Sequence, residues 1–196
     1  MKNHAKTTYK KKSAGFTLIE LIVTVSIAAI LMSIAVPSFK TMIDSNRLST
    51  GTNELVSAFI LARSEALKRS QNVRVCSSAD SSTCSTTDAN FGNGWVVFVD
   101  CDGDGAVGTG IDCDGDATTP VVDEIIKAHS ALSSLYITNN KTSGNNFLEY
   151  SFSGRPSGTV SFDVKKIEGE DSSGDPILSS VLKKIVISRS GRIRTE

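Results

Sequence analysis

The sequence predicts an α+β fold: one long N-terminal helix, membrane-spanning in its first half, packed through its second half on a C-terminal antiparallel β-sheet head. Three observations predict it. An apolar run from Phe16 to Val36 is long enough to cross a bilayer, an amphipathic stretch continues it, and short β-rich segments separated by Gly, Ser, Asn and Asp follow. With 196 residues and 20.8 kDa, the chain accommodates such a segment plus one ordinary domain, but not two. The predicted organisation is a leader at 1–15, a membrane span at 16–36, an amphipathic continuation at 37–69 and a β-rich head at 70–196.

The formal net charge of zero conceals a strong asymmetry. Lys2, Lys6, Lys10, Lys11 and Lys12 stand in the first fifteen residues without an acid, so removing that stretch leaves the chain at −5. Residues 100–124 hold eight acids and no Lys or Arg, whereas residues 183–196 hold five bases against Glu196. The 21 residues from Phe16 to Val36 reach about 30 Å as a helix, which matches the hydrocarbon of a bilayer. A secretory signal would place its small-residue cleavage site after the apolar core. Here Ser13-Ala14-Gly15 precedes the core, so cleavage there spares the helix. The lysines hold the N-terminus in the cytoplasm and send everything after Pro37 across the membrane, so the head is extracytoplasmic. Glu20 lies near the start of the run, where an ionised carboxylate costs about 2.5–3.5 kcal/mol if it reaches the centre of the bilayer. No cation follows within a helical turn. Its natural partner is the α-amine that cleavage after Gly15 creates on Phe16 of a neighbouring copy; the plainer alternative is a side chain that snorkels to the headgroups.

Gly15-Phe16-Thr17-Leu18-Ile19-Glu20-Leu21, with a basic leader before it and an apolar helix reaching Pro37 after it, resembles the signal of type IV pilins and type II secretion pseudopilins. The resemblance implies a pilin-like fold, cleavage after Gly15 by a prepilin peptidase, methylation of Phe16, and docking of the subunit among other pilin subunits through Glu20.

From Pro37 to about Arg69 the apolar residues Phe39, Met42, Ile43, Leu55, Phe59, Ala62 and Ala66 recur at three- and four-residue spacing, with charged residues on the other faces. Pro37 and the run Ser49-Thr50-Gly51-Thr52 are predicted weak points of this helix. Strands are predicted at 72–76, 95–99, 124–128, 135–138, 148–152, 159–164 and 181–188, with polar loops at 77–90 and 168–176. No solenoid repeat or long low-complexity tract is expected.

Cys76, Cys84, Cys101 and Cys113 all lie in the part placed outside the cytoplasm, where disulfides persist. Three pairings are open. Cys76 with Cys84 and Cys101 with Cys113 are favoured because each closes a short loop with little core of its own; zinc is disfavoured by the lack of two-residue Cys spacing or nearby His. The stretch DCDGDGAVGTGIDCDGDA contains G-x-G-x-x-G, but five aspartates between 100 and 114 repel a phosphate. Asp100, Asp102 and Asp104 followed by Gly105 match the opening of a calcium loop, yet the twelfth position is Ile111. A solvated acidic turn pinned by a disulfide is therefore expected, with calcium as the lesser alternative, a looser site that could also draw on Asp112, Asp114 or Asp116, and no other cofactor. A similar Asp/Gly-rich turn after GWVVFVD is common in the GspH/FimT/FimU group of minor pilins and pseudopilins, which this chain resembles.

The chain ends KKIVISRSGRIRTE. In an extended segment Arg192 and Arg194 share one face while Ile193 anchors the other, and Gly191 permits the tight turn that brings Arg189 alongside. Planar guanidiniums suit phosphate oxygens. This Gly-Arg-x-Arg ending is similar to that of FimT-type minor pilins, which bind DNA in natural transformation. The resemblance implies non-specific binding of double-stranded DNA by Gly191, Arg192 and Arg194, with Arg189, Lys183 and Lys184 as neighbours. The alternative is a structural minor pilin or type II secretion pseudopilin, like FimU or GspH, that primes filament assembly and whose basic tail meets another subunit. No enzyme is expected: with the leader removed His129 is the one histidine, and no nucleophile elbow or metal-ligand cluster accompanies it.

Overall fold

The computed structural model describes residues 15–87, 89–110, 121–140 and 146–196. The chain divides into two compact units, 1–45 and 46–196. Helix α1 (Leu18–Arg69) contributes to both.

Helix α1 starts at a capping box. Thr17 Oγ1 accepts from the N–H of Glu20 at 3.3 Å, and Glu20 Oε2 accepts from the N–H of Thr17 at 3.4 Å, so two donors freed at the helix start are satisfied reciprocally. In the first unit the helix carries a window of mean hydropathy 2.5 in which no side chain is buried, and it is long and apolar enough to cross a membrane. The helix is continuous through Pro37.

In the second unit the strands are β1 (Asn72–Ser77), β2 (Trp95–Asp100), β3 (Thr109–Gly110), β4 (Val121–Val122), β5 (Ile125–His129), β6 (Leu135–Asn139), β7 (Phe147–Tyr150), β8 (Val160–Glu170), β9 (Pro176–Leu178), β10 (Lys183–Ile187) and β11 (Ile193–Thr195). One sheet has the order β5-β2-β1-β7, a second has β11-β10-β8-β6 with β9 on the far end of β8, and β3 with β4 forms a short ribbon. All pairs are antiparallel. Leu55, Phe59, Ala62 and Ala66 of α1 join one core with Val73, Val75, Trp95, Val97, Leu148 and Tyr150 of the first sheet and Ile137, Phe162, Val164, Ile185 and Ile187 of the second. Phe162 ties them together: its ring is 4.8 Å from that of Phe59 and meets Phe91 edge-on at 5.2 Å. Strand β2 lacks polar alternation because its other face is covered too, with Val96 and Phe98 packing on Cys76, Phe147 and Val107.

Several expectations change. Phe39, Met42 and Ile43 do not extend the core stripe: they belong to the first unit and are exposed, and the stripe is completed instead by Thr52 and Ala58. Gly51 is no weak point, since the helix runs through it and a side chain there would strike Leu132 and Leu135. The expected loop at 168–176 begins as strand, because β8 runs on to Glu170 and folds back as β9. The strand expected to reach Phe152 stops at Tyr150, as the next five residues form a hairpin turn and leave Phe152 64% exposed. The last segment begins at Lys183, Val181 and Leu182 being exposed.

Candidate functional site

The C-terminal hairpin is built from β10, the turn Ser188–Arg192 and edge strand β11. Pairing of Ile187 with Ile193 fixes the register, and Ile185 and Ile187 sink into the core. Inside the turn, the Ser188 N–H donates to the Arg192 carbonyl at 3.0 Å, the Gly191 N–H to the Ser188 carbonyl at 2.8 Å, and the Arg192 N–H to Ser188 Oγ at 3.2 Å. Gly191 has φ +77°, and a methyl group on it would stand 2.9 Å from both Arg63 Cζ and the Gly154 carbonyl oxygen. Only glycine suits that backbone and that space.

Arg63, on α1, locks the turn from outside. Its Nη1 donates to the Gly191 carbonyl at 2.8 Å and its Nη2 to the Ser190 carbonyl at 3.0 Å. The neighbouring Tyr150 phenol is pushed above its ordinary range by burial, against the opposing charge of Arg63. The Arg192–Ile193–Arg194 alternation is as expected: Ile193 packs on the core and the two arginines are exposed. Arg189 is exposed at the turn tip. Among the described residues, none of these three guanidiniums has a hydrogen-bond or ion-pair partner. The flanking lysines differ. Lys184 lies 3.9 Å from Asp163 across β8, and Lys183 donates to Ser49 Oγ at 3.2 Å, so both are engaged within the fold. Arg63 carries no sequence signal for this role, since its contacts span 127 and 128 residues.

The acidic segment folds around backbone donors. Asp100, Asp102 and Asp104 accept from the N–H groups of Gly103, Asp104 and Ala106, and Asp123 accepts from Cys101 and Gly108. One carboxylate oxygen from each of Asp100, Asp102, Asp104 and Asp123 lies within 4.8 Å of the others. Oxygen donors of this kind suit a hard divalent cation. Asp123 supplies the fourth carboxylate, from 19 residues beyond the motif. Arg74 supplies Asp100 with a cation of the protein's own: its Nε is 2.7 Å from Asp100 Oδ2 and 2.6 Å from Glu149 Oε2, with the guanidinium over the Phe147 ring at 4.4 Å. Burial nevertheless holds the Asp100 carboxyl above its ordinary range. The aspartates expected to contribute at 112, 114 and 116 lie outside the described residues, as do Ile111 and the leader lysines.

Cys76 and Cys84 form a disulfide with their Cα atoms 5.6 Å apart. Cys101 is disulfide-bonded, and its expected partner Cys113 lies outside the described residues. The loop that Cys76 and Cys84 enclose is ordered by Asp80, which accepts from Ser82 N, Thr83 N and Thr83 Oγ1 at 2.7–2.9 Å. His129 has a role the sequence did not disclose. Its ring stacks on Trp95 at 4.0 Å and its Nε2 is 3.1 Å from Glu54 Oε2, tying β5 to α1. At the other end of the chain, Phe16 is 87% exposed beside the Thr17–Glu20 capping box.

A family model described as type II transport protein GspH matches residues 51–191, and one for the prokaryotic N-terminal methylation motif matches residues 10–36. Two crystal forms of the type IV minor pilin FimU from Pseudomonas aeruginosa are similar in structure. One is 18% identical over 78% of this chain and 90% of that one, with a TM-score of 0.47; the other is 17% identical over 76% and 91%, with a TM-score of 0.44. No curated protein matches.

Proposed function

The chain belongs to the GspH family and is a minor type IV pilin or pseudopilin, a structural subunit rather than an enzyme, and from that premise we propose that it captures double-stranded DNA for natural transformation. The prepilin peptidase cuts after Gly15 and Phe16 is methylated. The subunit waits in the inner membrane with its N-terminus cytoplasmic and its head periplasmic, then enters the pilus as Glu20 pairs with the Phe16 amine of a neighbour.

One observation carries the DNA reading: Arg189, Arg192 and Arg194 stand exposed on a single hairpin, without partners among the described residues, while Arg63 holds that hairpin in place. A preorganised set of guanidiniums contacts phosphates without reading bases. With about three phosphates engaged, the logarithm of affinity falls against the logarithm of salt with a slope of about −2.7. The acidic residues of 100–104 sit on the other sheet and its loop, so they need not face the same phosphates.

The second reading, a structural subunit whose hairpin meets another pilin, is favoured by the position of β11 at a sheet edge, where unpaired backbone N–H and C=O groups offer a template for another chain. A mobility-shift assay on the mature chain in detergent separates the two. The DNA reading predicts retardation of duplexes of any sequence and its loss in Arg192→Gln with Arg194→Gln at unchanged thermal stability. Equal retardation by parent and double variant gives the structural reading.

A further inference from the structure

The turn that bears Arg192 occurs twice. Residues 148–156 read LEYSFSGRP and residues 185–193 read IVISRSGRI, sharing Ser-x-Ser-Gly-Arg at the same offset from two inward-pointing residues. The backbone repeats with the sequence. The Ser151 N–H donates to the Arg155 carbonyl at 2.9 Å and the Gly154 N–H to the Ser151 carbonyl at 2.7 Å, as Ser188–Arg192 and Gly191–Ser188 do in the other copy. In each, the first serine hydroxyl reaches both the arginine carbonyl, at 3.1 and 3.3 Å, and the second serine hydroxyl, at 2.9 Å. Gly154 has φ +69° where Gly191 has +77°. Tyr150 bridges Pro156 where Ile187 pairs with Ile193.

The two copies lie side by side. The Gly154 carbonyl is one of the atoms that a methyl on Gly191 would strike, and Leu67, one helical turn beyond Arg63, fills the corresponding space against Gly154. Residues of α1 one helical turn apart thus seat adjacent turns. Arg155 is exposed, neither turn contains an acid, and among the described residues the Arg155 side chain has no hydrogen-bond or ion-pair partner. We propose that Arg155 is a further phosphate-contacting residue, so that the DNA-binding surface is two copies of one turn, each extending an arginine. This rests on the DNA reading of the C-terminal hairpin and widens it to a segment 37 residues upstream.

The test is fluorescence anisotropy of the mature chain in detergent with a labelled duplex of arbitrary sequence, over a range of salt. Arg155→Gln is expected to weaken binding several-fold and to reduce the magnitude of the salt slope by about 0.9, the contribution of one phosphate contact. Lys127→Gln removes the same charge from β5 and is expected to leave the slope unchanged. Arg155→Lys is expected to keep most of the parent slope, which a purely structural loss at the turn would not allow. If Arg155→Gln binds like the parent while Arg192→Gln with Arg194→Gln does not, Arg155 lies off the surface and the hairpin reading stands. If the double variant also binds like the parent, the DNA reading fails and this inference with it.

Discussion

Gly191 shows how one residue decides the hairpin. Its left-handed backbone and its close approach to Arg63 and Gly154 both exclude a side chain. Gly191→Ala is therefore expected to cost about 1–2 kcal/mol from the backbone conformation alone, read as a lowered unfolding midpoint in denaturant, together with weaker DNA binding. The need for a tight turn here, and the opposite facing of Ile193 and its flanking arginines, were legible because they depend on neighbours in the chain. The clamp by Arg63, the fourth carboxylate from Asp123 and the engagement of Lys184 by Asp163 were not, because each joins segments that only the folded sheets bring together. The partner of Glu20 within its own chain was overlooked although it was local: Thr17-x-x-Glu20 is a capping box.

At the scale of elements, the sequence placed the helix and most strands because periodicity survives in short windows. It failed where burial depended on partners far away, as at Phe39, Met42 and Ile43. The kinship of the two Ser-x-Ser-Gly-Arg turns emerges only in the fold, since five-residue loops carry little pattern until their hydrogen bonds are compared. The C-terminal end of α1 is fastened to its surroundings by charge: Arg69 Nε is 2.7 Å from Glu65 Oε2, and its Nη1 and Nη2 engage the two carboxylate oxygens of Glu124. The Arg69 hydrogen bonds hold the Glu65 and Glu124 carboxyls below their ordinary range. A carboxyl whose folded-state pKa is depressed stabilises the fold above its unfolded value, and that stabilisation is lost as pH falls through the folded one. Thermal unfolding followed from neutral to acid pH is thus expected to show a smaller acid-dependent loss in Arg69→Gln than in the parent; identical acid limbs would exclude this fastening.

For the whole molecule, the family assignment makes the chain one subunit among many, so its charges act at two levels. Within the apolar segment a lone carboxylate needs a countercharge, and the proposed one is a neighbour's N-terminal amine. Glu20→Ala is accordingly expected to leave the processed protein in the membrane and out of filaments, scored by sheared-filament immunoblotting; variant subunits in filaments at parental levels would remove the basis for that pairing. On the head, three arginines without a partner among the described residues and the proposed fourth are exposed on one pair of turns. On the proposed DNA reading a single head binds weakly, and a filament carrying more than one gains by avidity.

The salt dependence of duplex binding tests the central claim most directly. Measured on the mature chain, the logarithm of affinity should fall with the logarithm of salt at a slope of about −2.7 for the hairpin alone, or about −3.6 with Arg155 engaged. Arg192→Gln with Arg194→Gln should reduce its magnitude by about 1.8. A slope that the double substitution leaves unchanged would contradict the account.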